Sequence, residues 1–148
     1  MDIDIIDDNN DLRELYQEII ETGGFNAKGY ACAEDYIKSQ KCTSSSIAVI
    51  TDVCMPGKSG YELINEVKKN NPKQRFVVIT GTPQKGYIKE ARACFYVQKP
   101  VKMDKLIDVI TLLSLCSLAG NSDLPPACKL ISDLDSFGIC DWKCPHQN

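Results

Sequence analysis

Short apolar runs alternate with helix-periodic stretches along most of the chain. Ile3, Ile5 and Ile6 make a strand that ends at Asp7-Asp8. Asn9 or Asn10 caps a helix over residues 11–21, with Leu12, Leu15, Ile19 and Ile20 on one face and Gly23-Gly24 as its stop. A weaker strand over 25–30 and a short helix over 33–39 follow. Ile47 to Ile50 then form a buried strand running into Thr51-Asp52. After a Pro56-Gly57 turn and Gly60, the spacing predicts a third helix over 61–69 with Leu63, Ile64 and Val67 inward. Phe76 to Ile79 is another apolar strand, ending at Thr80-Gly81. A short helix over 84–93, a strand at Phe95-Tyr96-Val97 and a fifth helix from Met103 past Leu113 toward Leu118 complete the pattern. Five strand–helix repeats predict an α/β fold, a doubly wound five-stranded parallel sheet with helices on both faces.

The pattern changes beyond Gly120-Asn121. Pro125-Pro126 can start a short helix with Leu130, Ile131 and Leu134 on one face, and a polar, cysteine-bearing end follows. Leu112, Leu113, Leu115 and Leu118 carry the fifth helix past its docking face, to pack under this extension or to form a dimer surface.

Composition narrows the function classes. A chain of 148 residues with 43% hydrophobic and 25% charged residues suits one compact soluble domain, or one domain with an appendage. The net charge of −3 disfavours a general phosphate-backbone binder. Met1-Asp2-Ile3-Asp4 has no basic n-region, and the apolar run 109–119 is about half a membrane span. These features point to a cytoplasmic protein without membrane contact, in which cysteines stay reduced. Eight cysteines in 148 residues are a lower density than a small disulfide scaffold carries, but four of them, Cys116, Cys128, Cys140 and Cys144, crowd the last part of the chain.

The chemistry collects at one edge of the expected sheet. Ligands of open α/β sheets bind outside the carboxyl ends of the strands. That edge carries Asp7 and Asp8 after the first strand, Asp52 after the third, Thr80 after the fourth and Lys99 after the fifth. Carboxylates gathered this closely repel, so they call for a divalent cation with hard oxygen ligands, Mg²⁺ first and Mn²⁺ as a substitute. One carboxylate can then act as a nucleophile toward a phosphoryl group, with Thr80 and Lys99 facing the equatorial oxygens.

Five fragments carry a family resemblance over residues 1–115. They are Asp7-Asp8 after an Ile-rich strand, the stretch from Asp52 through Pro56-Gly57 and Gly60 to Leu63, Ile79-Thr80-Gly81, Tyr96, and Lys99-Pro100. Each is common alone; all five in order, each at a strand end, resemble the receiver domain of two-component response regulators. The resemblance implies a flavodoxin-like receiver over 1–117 and an extension over 118–148. It implies phosphorylation of Asp52 by a sensor histidine kinase or a phosphotransfer protein, and Mg²⁺ held by Asp8, Asp52 and the Cys54 backbone carbonyl, with Asp7 acting through water. Thr80 and Lys99 would contact the phosphoryl oxygens, Tyr96 would turn inward on activation, and Lys99-Pro100 would be cis. Such a module is a switch rather than an enzyme. It signals to a downstream protein target, with homodimerisation through the fourth-helix to fifth-helix face as an option and no direct contact with nucleic acid.

The sequence also departs from the family. Cys54 and Thr82, two residues after Asp52 and Thr80, are neither acids nor carboxamides that orient an attacking water, which implies a long-lived phospho-Asp52. Val101 stands where Phe is frequent. The stretch between Thr80 and Lys99 looks short, so the fourth helix is expected to be trimmed. In the extension, Cys128, Cys140, Cys144 and His146 include zinc-ligand types at poor spacing. The alternatives are a helix packed on the receiver, a redox role and a metal site. The rival function is therefore a redox- or zinc-sensing module on a receiver scaffold.

Overall fold

The computed structural model describes residues 2–40, 46–81 and 93–119. Five strands alternate with helices: β1 (Asp2–Ile6), α1 (Asn10–Thr22), β2 (Asn26–Tyr30), α2 (Ala33–Ser39), β3 (Ala48–Asp52), α3 (Gly60–Asn70), β4 (Phe76–Thr80), β5 (Phe95–Gln98) and α4 (Met103–Ala119). The α4 helix is the fifth of the predicted helices. The helix anticipated over 84–93 falls, but for Ala93, outside the described residues, as does the extension from Gly120 onward.

All strand pairs are parallel, in the order β2-β1-β3-β4-β5. The chain winds outward from β1 to β2, then returns across β1 to β3. That reversal leaves a crevice at the carboxyl ends of β1 and β3. The continuous apolar runs of β3 and β4 reflect strands covered on both faces, and every residue of each is buried.

The period-2 alternation of strand side chains divides the core into two layers. Ile3, Ile5, Ile50, Val77, Ile79 and Val97 face α1 and α4; Ile6, Val49, Phe76, Val78 and Tyr96 face α2 and α3. Local chemistry fixes the helix starts. Asn9, rather than Asn10, caps α1, its Oδ1 accepting the Leu12 N–H at 3.1 Å. Ser59 caps α3, its hydroxyl accepting the Glu62 N–H at 3.2 Å, and Lys68 and Lys69 lie in the last turn, where the helix dipole favours cations.

Three apolar assignments shift. Leu15 is 47% exposed while Tyr16 enters the core, because Leu12, Tyr16, Ile19 and Ile20 define the inward arc and Leu15 sits roughly a quarter-turn from its centre. Val67 is only partly buried and Lys68 is buried beside it. In α4, Leu113 belongs to the core and Leu112 packs against it, whereas Leu115 and Leu118 remain exposed. Only the last two overhang the docking face.

Candidate functional site: an acidic crevice at the sheet edge

Strand register assembles the crevice. Ile6 of β1 lies beside Thr51 of β3, so the next residues, Asp7 and Asp52, come side by side where the strands end. Asp7 and Asp52 are buried, at 1% and 8% exposure, while Asp8 opens to solvent. One carboxylate oxygen from each of Asp7, Asp8 and Asp52 lies within 4.8 Å of the others, an arrangement able to hold one cation. Lys99 reaches over from the far side, its Nζ 3.2 Å from Asp52 Oδ2. Thr80 ends β4, buried, and its carbonyl accepts the Lys99 N–H at 2.9 Å. The Lys99-Pro100 bond is cis, as the family pattern implies. Tyr96, 3% exposed, lies inward in the layer facing α2 and α3.

Asp7 shows why this crevice suits a metal. Its Oδ1 accepts the Asn9 N–H at 2.9 Å, but its Oδ2 is buried without a hydrogen-bond partner among the described residues. A buried carboxylate oxygen left in that state is costly, and a divalent cation or its bound water relieves it. Burial pushes the Asp7 carboxyl above its ordinary range. The Asn9 N–H opposes this, Asp52 adds to it, Lys99 opposes it and Asp8 adds a little. The negative field extends to Tyr16 on α1, whose hydroxyl is pushed up to about 12, first by burial and then by Asp7 and Asp52.

Two backbone approaches shape the loop after Asp52. A Cβ on Gly60 would fall on the Asp52 carbonyl oxygen, so only glycine lets α3 begin this close to β3. Gly57 turns the loop at φ +81°, and the Lys58 N–H donates to Glu34 Oε1 of α2 at 3.3 Å. Glu34 was not legible as a site residue, because its contact is 24 positions away in the chain. Arg13 also escaped notice. Its Nη1 donates to the Asp7 carbonyl at 2.7 Å. A cation this early in a helix, where the dipole disfavours it, was the available signal.

Cys54 is exposed at the crevice rim, Cys94 is buried, and Cys32 and Cys116 are half-buried. Thr82, Cys128, Cys140, Cys144 and His146 lie outside the described residues. Among the described residues no helix is long and apolar enough to cross a membrane.

A five-stranded parallel sheet with an acidic crevice at its switch point defines the doubly wound α/β class. Within that class the chain belongs to the response regulator receiver domain family, whose model matches residues 3–111. It is 28% identical over 106 residues to the C4-dicarboxylate transport transcriptional regulatory protein DctD of Rhizobium meliloti, covering 70% of this chain and 23% of that protein. It is 29% identical over 109 residues to a cyclic di-GMP phosphodiesterase of Thermotoga maritima, covering 72% of this chain and 29% of that one. Among solved structures, the Francisella response regulator 1452 receiver domain superposes with a TM-score of 0.72 at 16% identity, covering 78% of this chain and 98% of the other. The BeF3-activated DrrB receiver domain gives 0.69 at 22% identity, covering 77% and 97%. The chain spans only about a quarter of the length of these curated relatives. It is a receiver domain of the two-component response regulator type, and none of these comparisons favours a redox- or zinc-sensing module.

Proposed function

We propose that this receiver, over residues 1–117, accepts a phosphoryl group on Asp52 and relays the change to a downstream protein. The single observation that carries this reading is the convergence of the Asp7, Asp8 and Asp52 oxygens within 4.8 Å, with Lys99 3.2 Å from Asp52. An Asp52 carboxylate oxygen attacks phosphorus of a phosphohistidine on a sensor kinase or phosphotransfer protein. The P–N bond breaks, the imidazole leaves with its electron pair, and an acyl phosphate remains on Asp52. Asp8, Asp52 and the Cys54 carbonyl, with Asp7 acting through water, would hold Mg²⁺ or Mn²⁺, which when bound would neutralise charge on the phosphoryl oxygens. Lys99, already paired with Asp52, passes to a phosphoryl oxygen; the Thr80 hydroxyl reaches another, and Tyr96 holds the inward position.

The module acts as a switch with no substrate turnover beyond loss of its own phosphoryl group. It works by population shift in the cytoplasm, away from membrane and without touching nucleic acid itself. The face around α4 is its route to a partner or a second copy, and residues 118–148 are an appended extension. Titration with Mg²⁺ and beryllofluoride, followed by NMR, tests the proposal. The expected result is saturable binding at Asp52 that vanishes in Asp52→Asn; binding that survives in that variant refutes it. With Cys54 at the rim and Thr82 two residues after Thr80, the acid-labile phosphate is expected to persist well beyond seconds after the donor is removed. Loss within seconds would contradict this.

A further inference from the structure

The turn that carries Asp7 and Asp8 is held by a second set of groups, and one of them is built across three elements. Arg13 lies on α1 with its guanidinium against the end of β1. Its Nη1 donates to the Asp7 carbonyl at 2.7 Å, and its Nη2 to Asn10 Oδ1 at 2.5 Å. The accepting carbonyl belongs to the peptide that joins Asp7 to Asp8. Holding that peptide restrains ψ of Asp7 and φ of Asp8, and so the directions in which both Cα–Cβ bonds leave it. The same turn is tied by the Asn9 N–H to Asp7 Oδ1 and by the Asp7 N–H to the Tyr30 carbonyl of β2.

The stem of Arg13 has a berth of its own on β2. A Cβ on Gly29 would stand 2.9 Å from Arg13 Cδ, 3.1 Å from its Cγ and 2.8 Å from Gln17 Oε1. Gly29 does not adopt a positive φ, so it serves here as space rather than as a backbone hinge. Arg13 thus ties the Asp7 carbonyl to α1 through two nitrogens of one guanidinium, the second held by Asn10.

We infer that Arg13, seated on Gly29, is a positioning residue that presets the Asp7–Asp8 peptide for the divalent cation. The inference rests on the receiver reading above. Orienting partners of metal ligands are worth about 10–100-fold in affinity, so a loss of about tenfold is the expected scale. The inference assigns the effect to the fork, which separates two substitutions. Arg13→Lys keeps the cation but offers one nitrogen in place of the two that meet the Asp7 carbonyl and Asn10 Oδ1, and is expected to bind as weakly as Arg13→Ala. Gly29→Ala leaves Arg13 in the sequence but fills its berth. It is expected to reproduce the loss, and the double variant Gly29→Ala/Arg13→Ala is expected to be no weaker than either alone.

The experiment is calorimetric titration of the full chain with Mg²⁺ alone, paired with amide exchange of the metal-free chain. In the variants the Asn9 amide is expected to exchange faster while the amides of β3 and β4 keep their protection. That pattern reports loss of the turn and not of the fold. Unchanged Mg²⁺ affinity in Arg13→Ala and Gly29→Ala overturns the inference alone, as does wild-type affinity in Arg13→Lys. Absence of Mg²⁺ binding by the unsubstituted chain overturns the receiver chemistry and this inference together.

Discussion

Strand β1 carries one buried carboxylate at its centre and is followed by another just past its carboxyl end, and the two meet different surroundings. Asp7, just past its carboxyl end, faces Asp8 and Asp52 with one oxygen unpartnered among the described residues. Asp4, the middle residue of β1, is 7% exposed and lines a cavity of about 320 Å³ with Asp2, Asn26, Lys28 and Tyr30. Burial pushes both carboxyls up. At Asp4 the leading charged influence is Lys28, which pulls it down ahead of the opposing Asp2, whereas at Asp7 it is Asp52, which pushes it further up ahead of the opposing Lys99. Lys28 is the register neighbour of Asp4 on β2. A buried acid beside a lysine has its compensation within the fold; a buried acid beside two others needs it from outside. Convergence of like charge, not burial of charge, marks the reactive end of the sheet.

The comparison breaks most sharply under substitution of the two acids. Asp52→Asn is expected to abolish phosphoryl transfer and beryllofluoride binding, while Asp4→Asn leaves both intact. Loss of transfer in Asp4→Asn, assayed with a small-molecule phosphodonor and Mg²⁺, would show that the two ends are one site. The next largest effect falls on the backbone beside Asp52. Gly60→Ala must push α3 away from the Asp52 carbonyl, at a cost of about 3 kcal/mol in denaturant unfolding. A cost near zero would mean that α3 does not start where it is placed here.

Acidity separates the two carboxylates without mutation. Asp7 and Asp4 each titrate higher in the folded chain than their ordinary 3.8. Their protonated forms thus favour folding. The contribution is complete below 3.8 and is lost as the pH rises through the raised folded values. Lowering the pH of the metal-free chain into that window is expected to recover this contribution. Because Mg²⁺ needs ionised carboxylates, the extra stability it confers is expected to shrink over the same window. Thermal unfolding at several pH values, with and without Mg²⁺, measures both; a Mg²⁺ effect that grows on acidification contradicts the assignment. The smallest effect belongs to Asp4→Asn, where relief of the buried charge and loss of the Lys28 partner oppose each other, and the denaturant midpoint is expected to move less than in Gly60→Ala.

Much of this molecule was readable along the chain because its signals are local. Apolar runs bounded by Asp52 and by Thr80-Gly81 mark strands without reference to anything distant. Asn9 and Ser59 cap helices through contacts three residues away. The acids, Thr80 and Lys99 could be assigned to one crevice because parallel strands all present their carboxyl ends to the same edge. What escaped was set by contacts between elements. Tyr16 displaced Leu15 from the core because the helix is rotated by its packing on the sheet, not by its own apolar count. The reasons for Gly29 and Gly60 appear only when α1 and α3 are brought against β2 and β3.

The sequence by itself determined the alternation of elements, the parallel sheet and the list of acids at its edge, since each follows from side-chain periodicity and strand direction. Tertiary structure alone decided which carboxylate oxygen is left unpartnered, how near Lys99 stands to Asp52, and that an arginine on α1 holds the peptide between the two leading acids. Those depend on register and on packing between distant segments, where a shift of an ångström changes a hydrogen bond that no residue pattern records.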